Sequence, residues 1–268
     1  MVTKYDYPKM QVDAALSVLL ELLELIGEYR EHIVVVGGSV PYLLFRENQV
    51  AHIGTTDVDV VLDIAEILKA AKYNIKDRLL EKGYFQDKEN DFKFFRNISG
   101  QKIAVDFLSS DESGIKTAGI EKSLGISPSQ NPIFGLALKK PRTISLKLPD
   151  GKTTSFQVAN IPVFIVLKGL VLHERLNNKD SYDIYYCVDN FPGSLDALTR
   201  EFKPFMANNF VKKGLMMVRK IFSSPDSRGP NSLADFLNIE DKEERELVQR
   251  DAYQKVSSLL DNLGIKKK

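Results

Sequence analysis

The chain has 268 residues, enough to bury a core as one large domain or two modest ones. Its 43% apolar and 27% charged residues fit a soluble globular protein, and 37 Lys plus Arg against 36 Asp plus Glu exclude a global pull towards nucleic acid, leaving that role to local patches. The only cysteine, Cys187, excludes an intrachain disulfide framework; no apolar run nears the roughly 20 residues that span a bilayer, and MVTKYDYPKM lacks a signal peptide's apolar core, so a cytoplasmic protein with no membrane partner is expected.

In chain order, Met10 to Tyr29 carries leucines at helical spacing between glutamates and predicts a helix with one apolar stripe. IVVVGG is a β-branched strand ending at glycines, VPYLLFREN a short helix, and VDVVLD a second strand. Glu66 to Lys82 reads as one amphipathic helix stopped by Gly83. FKFFRNI and KIAVDFLSS are two strands joined by a tight turn at Ser99-Gly100, and the stretch Asp111 to Pro132, rich in Gly, Ser and Pro, reads as loop. RTISLKL and TTSFQVA flank Pro149-Asp150-Gly151 and predict a hairpin. Helical patterns follow over Ile161 to Leu176, Tyr182 to Asp189, roughly Leu195 to Phe222, and Lys242 to Leu263, with Ser223 to Ser232 an exposed loop. The expected class is α+β: a mixed β-sheet with flanking helices in residues 1–160, then a helical domain over 161–268.

Two carboxylates stand on alternate residues of the second strand. Side chains alternate along a strand, so Asp57 and Asp59 share one face while Val58 and Val60 share the other. Such acids repel unless positive charge lies between them, and hard oxygen ligands suit Mg²⁺. Asp106 interrupts a later apolar strand in the same way and supplies a third carboxylate. The alternative is structural, with Asp57 capping a turn, Asp59 pairing with a lysine and Asp106 ending a strand. Gly37-Gly38 is either a plain strand-to-helix turn or, with Ser39, an anion site built from backbone N–H groups and a hydroxyl. It is neither a Walker A loop nor Gly-x-Gly-x-x-Gly.

Gly37-Gly38-Ser39, Asp57-Val58-Asp59 and Asp106 together resemble the signature of the nucleotidyltransferase (polymerase β-like) superfamily. That resemblance implies a nucleotidyltransferase-like sheet, a triphosphate held at Gly37, Gly38 and Ser39, and Mg²⁺ (or Mn²⁺) held by the three acids. The gap from Ser39 to Asp57 is longer than in most members. IPVFIVLKGLVLHERLNNKDSYDIYYCV resembles a segment of the AbiEii/AbiGii-type toxin nucleotidyltransferases, with Lys168, Arg175, Lys179, Asp180 and Asp183 at the matching positions. The resemblance implies that Lys168 and Arg175 contact nucleotide phosphates and that an acid among Asp180 and Asp183 is required for transfer. Without it, Lys168 reads as a lysine whose head snorkels to water, and Asp180 as the N-cap of a helix with Asp183 in its first turn.

Two classes of function follow. One is a metal-dependent enzyme that moves a nucleoside monophosphate from an NTP to an acceptor hydroxyl; the resemblance points to tRNA as acceptor and to the toxin of a toxin–antitoxin or phage-defence pair, with a cognate antitoxin as partner. A small-molecule acceptor, as in aminoglycoside nucleotidyltransferases, is the rival within that class. The other is a non-catalytic nucleotide- or partner-binding module. Lys212, Lys213, Arg219 and Lys220 form either an RNA-facing strip or a solvated helix face.

Overall fold

The computed structural model describes residues 2–70, 73–111, 114, 117–148, 151–172 and 177–266. The chain divides into two compact units. One takes Pro8–Val40 and Gly54–Asn160; the other takes Met1–Tyr7, Pro41–Ile53 and Ile161–Lys268.

The first unit opens with helix α1, Lys9–Leu25, whose Val12, Ala15, Val18, Leu19, Leu22 and Leu23 are buried. A 3₁₀ segment, Gly27–His32, leads into strand β1, Ile33–Val36, and the glycine turn then starts α2, Ser39–Leu44. Strand β2 is Asp57–Leu62. The helix expected over Glu66 to Lys82 is two helices, α3 (Ile64–Lys69) and α4 (Ile75–Glu81). Asn74 explains the restart, because its side chain accepts the Asp77 N–H at 3.1 Å, an N-cap that a periodicity reading overlooks.

Strands β3 (Tyr84–Gln86), β4 (Lys93–Ile98) and β5 (Gln101–Ser109) follow, the last two joined through Ser99-Gly100 as expected. Asp111 to Pro132 is not all loop: it holds α5, Thr117–Leu124, and the short strand β6, Ser129–Gln130. Strands β7 (Arg142–Lys147) and β8 (Thr153–Val158) form the expected antiparallel hairpin, although Pro149 and Asp150 of its turn lie outside the described residues.

Among the described residues eight strands form one mixed sheet, ordered β3-β4-β5-β2-β1-β8-β7 with β6 beside β5. β2 runs parallel to β5, β1 parallel to β8, and β1 antiparallel to β2. Helix α1 packs on β2, β4 and β5, over the face that carries Val58, Val60, Ile103, Val105 and Phe107. The acids stand on the other face.

The second unit is helical: α6 (Ile161–Val171), α7 (Asn178–Asp189), α8 (Leu195–Phe202), α9 (Asn209–Ile221), α10 (Arg228–Phe236) and α11 (Lys242–Asn262). The stretch read as one helix from Leu195 to Phe222 breaks at a 3₁₀ turn, Lys203–Phe205, where Pro204 enters; α9 restarts under Asn208, whose side chain accepts the Phe210 N–H at 2.8 Å. The expected loop Ser223 to Ser232 is half helix. Pro230 falls in the first turn of α10, where its missing N–H costs nothing, and a Cβ on Gly229 would meet the Phe222 ring at 2.8 Å. Mixed sheet with flanking helices plus a helical unit makes the class α+β, and no described helix is long and apolar enough to cross a membrane.

Candidate active site

The sheet unit and the helical unit each hold a cluster of charged groups. In the sheet, the parallel pairing of β2 and β5 sets Asp59 directly opposite Asp106 and Asp57 opposite Ala104, so all three acids stand on one face. Asp59 also pairs with Val36, the last residue of β1, and the glycine turn therefore begins beside it. Gly37 has φ +68°, and a Cβ there would lie 2.0 Å from Asp59 Oδ2. Glycine is required twice, by the left-handed backbone and by the approach of the turn to the carboxylate. Gly38 and Ser39 continue into α2, both buried.

Lys93, which the sequence reading passed over, stands opposite Asp106 across the β4–β5 pair. Its Nζ donates to Oδ2 at 3.0 Å and forms an ion pair with Oδ1 at 2.9 Å, while that buried oxygen accepts no hydrogen bond. Burial pushes the Asp106 carboxyl above its ordinary range; Lys93 opposes that push and the Asp57 charge adds to it. Asp57 accepts a short hydrogen bond from the Thr55 hydroxyl.

As they stand, no three His, Cys, Asp or Glu side chains among the described residues close into a ready-made metal cluster. The donor chemistry nevertheless suits a hard divalent cation, with three carboxylates on one face and one buried Asp106 oxygen unbonded. Asp57, Asp59 and Asp106 are the residues that would hold it.

The second cluster is in the helical unit, where α6 carries Lys168 and α7 carries Lys179, Asp180 and Asp183. The alternative of a Lys168 head that snorkels to water is not what the structure has. Lys168 is 8% exposed, with Nζ 2.6 Å from Asp180 Oδ1 and 2.7 Å from Asp183 Oδ2, while both acids are 0% exposed. Asp180 is not an N-cap, since α7 begins one turn earlier under Asn177, whose side chain accepts the Lys179 N–H at 3.0 Å. That frees the Asp180 carboxylate for Lys168.

Lys179 reaches Asp183 Oδ1 at 2.8 Å, and His52 Nε2 reaches the same oxygen at 3.0 Å. Burial disfavours every charge here, but Lys168 and Lys179 hold the Asp183 carboxyl well below its usual range, and the two acids hold Lys168 well above its own. Burial pushes His52 down from 6.5 to about 4, so its ring is neutral at pH 7 and Nε2 carries the proton that Asp183 accepts. The ring stacks on Tyr182 with centroids 5.2 Å apart and meets Tyr186 edge-on at 4.8 Å. Two ammonium groups and two carboxylates thus balance in a buried network.

His52 reaches this network from Pro41–Ile53, the stretch between the glycine turn and the acids. Asn48 Nδ2 donates to the Asn190 carbonyl at 2.8 Å, Tyr186 Oη to the Val50 carbonyl at 2.6 Å, and the Ile53 N–H to Tyr182 Oη at 3.1 Å. The long gap from Ser39 to Asp57 is this excursion into the helical unit. No sequence signal marks His52, because its partner lies 131 residues away.

Arg175 lies outside the described residues. Of the basic strip, Lys212, Lys213 and Lys220 are exposed, but Arg219 is not part of it: its guanidinium is buried, donates to the Ile265 carbonyl at 3.0 and 2.7 Å, and pairs with Asp261.

No family model matches the chain, and no curated protein matches it. Among solved structures, a candidate nucleotidyltransferase from H. pylori is similar at 16% identity and a TM-score of 0.45, over 96% of this chain and 99% of that one. JHP933 from Helicobacter pylori is similar at 15% identity and a TM-score of 0.44, over 94% of each chain. At these values neither likeness bears on the chemistry of this chain.

Proposed function

We propose that the chain is a metal-dependent nucleotidyltransferase that moves a nucleoside monophosphate from an NTP to an acceptor hydroxyl. The observation that carries this reading is the placement of Asp57, Asp59 and Asp106 on one sheet face, with the Gly37 turn pressed against Asp59. Mg²⁺ or Mn²⁺ bound by these acids would polarise the triphosphate and lower the pKa of the acceptor hydroxyl.

The chain's own part is positional. The paired strands fix the spacing of the carboxylates, and the Gly37-Gly38 turn offers backbone N–H groups, with Ser39, to anionic phosphate oxygens. Lys168 and Arg175 are the cations assigned to phosphate charge in the same reading, with Asp180 and Asp183 fixing the Lys168 head. tRNA is the acceptor the reading favours, and the biological role is the toxin of a toxin–antitoxin or phage-defence pair, neutralised by a cognate antitoxin.

The test is incubation with Mg²⁺, each of the four labelled NTPs, and either total tRNA or aminoglycosides. Label on RNA, removed by EDTA and by Asp59→Asn, is the expected result. Full transfer by Asp59→Asn would sink the metal-site reading; label confined to aminoglycosides would replace the acceptor, and no label with any NTP would leave a binding module. Growth arrest on expression of the wild type, absent with Asp59→Asn, tests the toxin role.

A further inference from the structure

The sheet face that carries the acids extends past them to an aromatic pair, the half-buried Phe95 and the exposed Phe85. On β4, Phe95 stands opposite Ala104, and on β3, Phe85 stands opposite Phe95. Cα partners in a ladder point to the same side, and Asp57 is the partner of Ala104, so Phe85, Phe95 and the acids share a face. Phe85 is 39% exposed although large and apolar. The two rings lie 5.5 Å apart at 30°, a tilted pair rather than an interlocked core contact. The exposed Lys102 sets its ammonium 3.7 Å from the Phe95 ring centroid and 5.5 Å from that of Phe85. With strands about 4.8 Å apart and residues about 3.3 Å apart along a strand, Phe95 lies roughly 8 Å from Asp106 and Phe85 roughly 12 Å.

We propose that Phe85, Phe95 and Lys102 form a stacking platform for unpaired bases of a single-stranded nucleic acid, whose end reaches the Asp57–Asp59–Asp106 face. For the identity of that strand as acceptor, the inference rests on the nucleotidyltransferase reading. Aromatic rings on an open sheet face take bases of any sequence through their π-faces, and a lysine beside them meets the phosphate backbone. A protein partner would bury the same rings, but the exposed Lys102, whose ammonium lies over the Phe95 ring until a stacking base displaces it, adds a cation that favours a polyanion. A cross-strand pair also holds a sheet together, so the test separates apolar packing from stacking.

Fluorescein-labelled oligouridylate, alone or annealed to oligoadenylate, is titrated with the protein in the absence of NTP and followed by anisotropy. The single strand is expected to bind at least tenfold tighter than the duplex, whose bases already stack on one another. Phe95→Leu and Phe85→Leu, which keep apolar volume, should each weaken binding about tenfold. Phe95→Tyr and Phe85→Tyr, which keep the π-face, should bind as the wild type does, and Lys102→Gln should flatten the salt dependence. Equal affinity for single strand and duplex overturns the platform, as does unchanged affinity in the Leu variants with their melting temperatures intact. No binding of either strand also overturns it and leaves the face to a protein partner. Binding that depends on Phe85 and Phe95 without transfer to any acceptor defeats the enzymatic reading alone, while transfer with Phe-independent binding defeats this inference alone.

Discussion

His52 keeps a buried, neutral ring against a carboxylate, which gives the protein a defined pH window. Its folded pKa is depressed from 6.5 to about 4, so below 6.5 the unfolded chain takes up a proton that the folded one refuses. The stabilisation is complete above 6.5 and is lost as pH falls towards 4, by at most on the order of 3 kcal/mol. Urea unfolding at pH 7.5 and 4.5 should show that fall in the wild type and a smaller one in His52→Gln, whose amide still reaches Asp183. Equal falls would remove His52 as the cause. The same network bears on variants meant to probe catalysis. Asp183→Ala leaves Lys168 and Lys179 buried beside a lost partner and should cost about 3–5 kcal/mol, read by urea midpoint. Lys168→Ala removes the ammonium that two buried carboxylates share, so lost transfer there does not by itself show phosphate binding. Gly37→Ala should destabilise more than Gly100→Ala: both glycines have positive φ, but a Cβ at Gly100 meets nothing within 4 Å. A thermal shift no larger at Gly37 would refute the contact with Asp59. The acids were legible in the sequence because a carboxylate in an apolar strand breaks the pattern; Lys93 and His52 were not, because their partners are set by cross-strand register and by a contact between distant segments.

Elements were legible where period and length agreed, as in β1, β2, β4, β5 and the β7–β8 hairpin. They were misread where a cap or proline cut a periodic stretch. Asn74 and Asn208 restart helices that an apolar stripe appears to carry through, and Pro230 starts one where Gly, Pro and Ser suggest a loop. Helix pairing left no local trace at all. Helices α6 and α9 meet backbone to backbone: a Cβ on Gly169 would lie 2.5 Å from the Gly214 carbonyl oxygen, and one on Gly214 would lie 2.7 Å from that of Val166. Ala at either glycine must push the helices apart, an overpacking worth about 1–3 kcal/mol. Gly169→Ala and Gly214→Ala should each lower the urea midpoint, and the double variant by less than the sum, since one separation relieves both clashes. A fully additive pair would show that the two glycines act independently.

Over the whole molecule the chain passes between its units after Tyr7, Val40, Ile53 and Asn160. The helical unit is therefore not the contiguous stretch from Ile161 onwards. His52 comes to it from Pro41–Ile53, and Tyr7 comes from the N-terminal segment, where its ring lies 5.8 Å from Phe236 and 5.2 Å from the Lys179 ammonium. A fragment spanning 161–268 lacks both. It should unfold at lower urea than the same unit in the full chain, and a peptide of residues 41–53 should bind it and restore part of the loss. A fragment as stable alone as within the full chain would refute this account.

The excursion between the glycine turn and the acids also limits how relatives of this chain can exchange parts. Thirteen residues encoded between two pieces of the sheet belong, by their contacts, with the helices that are encoded more than a hundred residues later. A recombination crossover at Asn160 would bring in a foreign Asp183 and Tyr186 and retain the old His52 and Val50. Viable hybrids should therefore either cross within the sheet's own segments and carry 41–53 along with 161–268, or show matched changes at both places.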